Sequence, residues 1–182
     1  MLSAPARARA EASGGERGRY VHLFGTAAVG RGLRLNNPYR LETVLGRDAE
    51  SLSLSAWYAD VGLGATLGDP EGWQHGVVVR ESHALDGVPQ DVVTPGYTLL
   101  RRFRPRYQAF ARAGVPVVVR PDLSWGLEAA IGGVWLVTAA LGCTAEVVGS
   151  VFYGAATWDR AATAIPIVSL QLGAWLDAEL LP

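Results

Sequence analysis

The stretch Ser124-Trp125-Gly126-Leu127-Glu128-Ala129-Ala130-Ile131-Gly132-Gly133-Val134-Trp135-Leu136-Val137 decides how this chain folds. Taken at every second residue, one parity is Trp125, Leu127, Ala129, Ile131, Gly133, Trp135 and Val137. The other is Gly126, Glu128, Ala130, Gly132, Val134 and Leu136. Successive side chains of a strand point to opposite faces, so a period of two marks a strand with two unlike sides. A water-facing side would carry Thr, Lys, Gln or Arg; here the more polar side is Gly and Ala around a single Glu, which fits a cramped interior better. On the apolar side, Trp125 and Trp135 are separated only by apolar or small residues. At ~3.3 Å per residue and a tilt of ~40° they stand about 25 Å apart along a barrel axis, the height of the apolar band between two aromatic girdles.

The same period continues on both sides. Downstream, a Thr138-Ala139-Ala140 turn leads into Leu141 to Tyr153, where Thr144, Glu146 and Ser150 oppose Ala145, Val147, Val151 and Tyr153. After a loop holding Trp158-Asp159-Arg160, a last run from Ala164 to Leu180 sets Ser169, Gln171, Gly173 and Asp177 against Val168, Leu170, Leu172, Ala174 and Leu176. Upstream, runs are expected at Tyr20–Leu33, Leu52–Leu67, Gln74–Leu85, Tyr97–Phe103 and Arg106–Val119. They are separated by the polar stretch Asn36–Glu50, by Gly68-Asp69-Pro70-Glu71-Gly72, by Asp86-Gly87-Val88-Pro89, and by Pro105 and Pro121-Asp122, all turn or loop chemistry. Eight such runs without an amphipathic helix make an all-β meander. Long strands in a small protein avoid exposed edges by closing, so the expected fold is an antiparallel up-and-down β-barrel of about eight strands over residues 20–182.

Composition agrees. The 182 residues suit one domain; 22 are Gly, 49% are hydrophobic and 18% charged, more glycine and less charge than soluble domains carry. The net charge of -1, with every basic residue an Arg, offers no electrostatic footprint for nucleic acid. The lone Cys143 excludes an internal disulfide. No apolar run approaches the ~18 residues of a transmembrane helix, so entry into a bilayer would be by strands. Residues 1–19 have almost nothing to bury and are expected to be a disordered arm; Ala6-Arg7-Ala8 has the form of a signal cleavage site, but no apolar segment precedes it.

Across Tyr20 to Leu180, with Gly126-Leu127-Glu128 through Leu141-Gly142 and Ala145-Glu146 the most similar part, the chain resembles the small Gram-negative outer-membrane barrels of the OmpA/OmpX type. The resemblance is one of pattern and matches no invariant motif. It implies a transmembrane barrel in the bacterial outer membrane, periplasmic termini, and an extracellular Asn36–Glu50 loop able to meet other envelope proteins. One departure is the end, Leu180-Leu181-Pro182, where such proteins finish on an aromatic residue.

Two residue sets follow. Trp57, Tyr97, Tyr107, Trp125, Trp135 and Tyr153 lie near run ends and are the candidate aromatic girdle; Trp175 is also near an end but has the inward parity. Asp60, Arg80, Arg102, Arg112, Glu128, Glu146 and Asp177 share the polar face and are the candidate lumen network, in which charges of both signs must pair. Eight-stranded barrels are just wide enough for side chains to fill, which favours a structural or interaction protein with a plugged lumen. A narrow channel or a path for small apolar molecules is the alternative; a soluble lipocalin-like binder, with the Trp125 face lining its pocket, is another. Arg101 shares the apolar face with Tyr97, Leu99 and Phe103, so either it lies near an interface or the register of this run differs from the one read here.

Catalysis is not expected. Glu81-Ser82-His83 has the residue types of a hydrolytic triad, but neighbours on a strand point to opposite faces. Lipid A-modifying barrels use a Ser and a His, with no matching arrangement here. His22, His75 and His83 are too scattered for a metal site and are expected at the surface or in the belts. No cofactor is implied.

Overall fold

The computed structural model describes residues 20–35, 52–153 and 164–180. The expected disordered arm and the Asn36–Glu50 and Trp158–Arg160 loops lie outside them. The strands are β1 (Tyr20–Arg34), β2 (Ser53–Gly68), β3 (Trp73–Ala84), β4 (Asp91–Arg104), β5 (Tyr107–Gly114), β6 (Val117–Arg120), β7 (Ser124–Leu136), β8 (Leu141–Tyr153) and β9 (Ala164–Leu180). Each pairs antiparallel with its neighbours, β1 with β9, and the β3–β4 pairing completes the ring.

β5 and β6 are halves of one barrel strand. Gly114 faces Gly96 on β4 and Glu128 on β7; Val117 faces Val93 and Trp125, in unchanged register. Between Gly114 and Val117 the ladder breaks at Val115 and Pro116. Pro95 of β4 sits opposite that break, and its carbonyl accepts from the Val115 amide at 3.1 Å. Amide and carbonyl of a strand residue point the same way, so the donor that Pro95 lacks falls where the ladder is already interrupted. The barrel therefore has the eight strands expected.

Register fixes its shape. Hydrogen-bonded partners followed once around the wall run Tyr20, Gly68, Gln74, Leu100, Phe110, Gly132, Glu146, Gln171 and back to β1 at Gly30, ten residues above the start. For eight strands, that stagger means a tilt of about 40°. Both described ends of the barrel, Tyr20 and Leu180, lie at one rim with the short turns 69–72, 105–106 and 137–140; this is the lower rim. The upper rim carries the connections 35–52, 85–90, 121–123 and 154–163.

The faces are sorted as the alternation requires. Leu127, Ile131, Trp135, Val147, Leu170 and Leu172 are exposed on the outer wall, while Asp60, Arg80, Thr98, Gln108, Glu146 and Gln171 are buried inside. The protein is polar within and apolar without. A lipocalin-like binder needs the Trp125 face inside; that face is outside, so this alternative falls.

One strand differs from expectation. β4 starts at Asp91, six residues before Tyr97, because Asp91 through Gly96 pair with β3 despite Pro95 and Gly96. The expected run Tyr97–Phe103 leaves these six residues out, and Pro95 is tolerated among them because the neighbouring strand has a matching break.

Candidate functional site

The polar chemistry of this fold lies in the lumen, where the described inward side chains form three layers. The upper layer holds full charges. Arg80 of β3 donates from Nε to Asp60 Oδ1 at 2.8 Å, from Nη1 to Glu128 Oε1 at 3.3 Å, and from Nη2 to Glu146 Oε1 at 3.2 Å and Gln171 Oε1 at 2.7 Å. Arg112 of β5 donates from Nε to Glu146 Oε2 at 3.0 Å and from Nη1 to Glu128 Oε1. Gln171 in turn donates to the Tyr58 hydroxyl at 3.0 Å. Two planar guanidinium forks thus bridge carboxylates from β2, β7 and β8, the pairing that buried charges require.

Below it lies an aromatic layer. Trp175 stacks on Phe24 with centroids 4.6 Å apart and planes 7° apart, and on Phe110 at 5.6 Å; Val78, Leu100, Val134 and Leu136 complete the cluster. Each Phe covers an inward glycine directly across the ladder: a Cβ on Gly64 would lie 2.2 Å from Phe24 Cζ, and one on Gly132 2.4 Å from Phe110 Cζ. Only glycine leaves room for a ring to lie flat against the neighbouring strand.

The lower layer surrounds Asp177 of β9. His22 Nε2 bonds its Oδ1, Gln108 Nε2 donates to Oδ2 at 2.9 Å, and Arg102 Nη2 lies 3.6 Å from Oδ2. His22 Nδ1 meets Thr66 Oγ1 at 3.2 Å, and Thr66 donates to Gln74 Oε1 at 3.0 Å. Beneath, Tyr20, His22, Pro70 and Gln74 line a vestibule of about 240 Å³ at the lower mouth.

All seven residues of the predicted network point inward, yet they form two clusters instead of one: Asp60, Arg80, Arg112, Glu128 and Glu146 above, Arg102 and Asp177 below. His22 corrects an expectation, being a buried lumen residue instead of a surface or belt one. Its even parity with Phe24 and Ala28 carried that signal. His75 and His83 are outward, bonded to Tyr97 and Asp91. Within Glu81-Ser82-His83, Ser82 points inward to Asp60 at 2.5 Å, with Glu81 and His83 on the other face.

Of the predicted girdle, Trp125 and Tyr153 pair at the upper rim with rings 5.2 Å apart, and Tyr107 and Trp135 pair at the lower. Trp57 lies near the upper rim under the Arg31 guanidinium, 5.5 Å from its ring. Tyr97 stands in mid-wall, since β4 begins at Asp91. Trp73, missed from the sequence, opens β3 at the lower rim with outward parity, directly after the Gly68–Gly72 turn. Arg101 lies against it, 5.3 Å from the rings of both Trp73 and Phe103, so this cation is held near an interface by aromatic faces.

No protein-family model matches the chain, and no curated protein sequence does. Among solved structures, the crystal structure of Neisserial surface protein A is similar over 88% of this chain and 97% of that one, at 12% identity and a TM-score of 0.52. The outer membrane protein OprG from Pseudomonas aeruginosa aligns over 90% and 98% at 14% identity and a TM-score of 0.44, and the outer membrane protein AlkL over 100% and 98% at 14% and 0.47. With its ring of eight strands and its inverted faces, the chain has the closed antiparallel fold of the small outer-membrane barrels.

Proposed function

We propose that this protein spans a bacterial outer membrane as a barrel with a filled lumen and acts as a structural or interaction protein through its upper loops. The observation that carries the reading is the three-layered interior: among the described residues, the space between the charge and aromatic layers is about 20 Å³. That is room for one water and not for a file of them. Bilayer residence is supported by the outer wall, where Leu63, Val77, Ile131 and Leu172 are all more than half exposed between the aromatic rims. A soluble chain would not leave such a band bare. The interaction role is supported by the rims: the lower joins strands by turns of a few residues, and the longer connections, residues 35–52 among them, leave and rejoin the wall at the upper.

The test is reconstitution of the full chain in planar bilayers. The filled-lumen reading expects no discrete conductance above the lipid baseline. Discrete steps would transfer the function to the narrow-channel alternative. A chain that stays monomeric at high concentration in plain buffer would remove the bilayer from the reading altogether.

A further inference from the structure

At the upper rim, Arg31 donates from Nε to the Ser55 carbonyl at 3.1 Å, and Arg120 Nε lies 3.3 Å from Asp91 Oδ2. The end of the β4–β5 hairpin at the lower rim is different. Arg101, Arg104 and Arg106 follow one another there, the first half-buried and the other two exposed. Among the described residues none of the three pairs with a carboxylate, Asp69 and Glu71 of the adjoining turn included. The register fixes their height. Gly133 stands two residues above Trp135 on β7, and the two ladder steps from Gly133 through Ala109 to Arg101 descend by about as much. Arg101 is therefore level with the lower aromatic girdle, on the outer wall, with the rings of Trp73 and Phe103 each 5.3 Å from its guanidinium carbon. Arg104 faces Tyr107, which faces Trp135, so it stands below the girdle, and Arg106 follows it in the turn.

We propose that this hairpin end binds the phosphate headgroup of a net-anionic glycerophospholipid in the lower leaflet. A ring face attracts a guanidinium but accepts none of the in-plane N–H groups at its edge, and that edge matches phosphate oxygens, which it engages in pairs. Lipid headgroups lie at the depth of the aromatic girdle and just beyond it, where Arg101, Arg104 and Arg106 succeed one another away from the apolar band. Three cations without a countercharge favour a headgroup of net negative charge over a zwitterionic one, whose own amine already neutralises its phosphate. A soluble acidic protein could meet Arg104 and Arg106, but it would have to enter the bilayer to reach Arg101 beside Trp73 and Phe103. The inference rests on the proposed bilayer residence and is independent of whether the lumen is filled.

The experiment reconstitutes the full chain in vesicles of mixed phosphatidylglycerol and phosphatidylcholine, and native mass spectrometry after gentle release counts the lipids that each barrel retains. The expected result is several-fold more phosphatidylglycerol than phosphatidylcholine on the parent, and a several-fold loss of that phosphatidylglycerol in the Arg101→Gln, Arg104→Gln, Arg106→Gln triple variant. The Arg31→Gln, Arg120→Gln double variant, which removes positive charge from the upper rim, should retain the lipid as the parent does. Equal retention of the two lipids by the parent would overturn the proposal, as would a triple variant that retains as much as the parent or a double variant that loses as much as the triple. Free glycerol phosphate, added at the concentration of the phosphatidylglycerol, should not displace it; displacement would make this a site for soluble phosphate and overturn the lipid. Should the triple variant fail to fold, the lipid ratio of the parent and the competition by free phosphate still decide. A chain that does not enter the vesicles would sink the bilayer reading together with this one, whereas insertion without a lipid preference sinks this inference alone.

Discussion

The two polar layers of the lumen lie on either side of one aromatic stack and solve the same problem differently. Above Trp175, two guanidiniums and three carboxylates from β2, β3, β5, β7 and β8 bond to one another, Arg80 being 5% exposed in its side chain and Asp60 1%. Below it, one carboxylate buried as deeply, Asp177, accepts from Gln108 and pairs with His22 and with a single guanidinium, Arg102, which is 30% exposed at the mouth. The difference lies in the number of charges and in the exposure of the cation: Asp60 and Asp177 are each 1% exposed, but Arg80 is 5% exposed and Arg102 30%. Several charges packed together take most of their bonds from one another, whereas a lone carboxylate can be held by amide and imidazole hydrogen bonds with its cation left partly in water.

That contrast predicts a ranking of effects. The largest belongs to Arg80→Ala, which leaves Asp60, Glu128 and Glu146 with Arg112 alone. Unfolding in urea from lipid vesicles should show a loss of about 3–5 kcal/mol, the penalty of an uncompensated buried charge. A loss under 1 kcal/mol would mean that water already reaches the upper layer. Asp177→Asn should be milder, about 1–3 kcal/mol, because His22, Gln108 and Arg102 keep an acceptor and the one cation left without a charge partner, Arg102, is part-exposed; a loss matching that of Arg80→Ala would erase the distinction. Gln108→Ala, which removes one donor to Asp177, should weaken the fold by about 1 kcal/mol in the same assay. Smallest is the coupling between layers. In the cycle joining Arg80→Ala and Asp177→Asn, the two losses should add to within about 0.5 kcal/mol. Strong coupling would show that the aromatic stack does not insulate the layers.

Much of this was legible without a structure. Period-two alternation assigned the inward parity of all seven network residues and of Trp175, and the ten-residue interval between Trp125 and Trp135 matches the two ends of β7. The failures have particular causes. The start of β4 is not legible locally: Pro95 in a strand is acceptable only where the next strand is interrupted, and that interruption at Val115 and Pro116 lies twenty residues away in sequence. The same six hidden residues make Tyr97 read as a rim residue instead of a mid-wall one. The parity of His22 points inward, but histidine has no fixed preference between a wet belt and a bonded core, so residue type does not reinforce it.

By itself, then, the sequence determined that there are two faces, which residues belong to each, and that the strands must close; these are local consequences of side-chain alternation and of edges that need partners. Which residues meet inside was decided only by the tertiary structure. Arg80 finds Glu128 and Glu146 across 48 and 66 residues, while Arg102, of the same charge and face, finds Asp177. That sorting follows from the shear: each step around the wall raises the next strand, so residues from distant strands arrive at one height only when the ring has closed with its ten-residue stagger. Alternation tells a side chain to point inward; the register tells it whom it will meet.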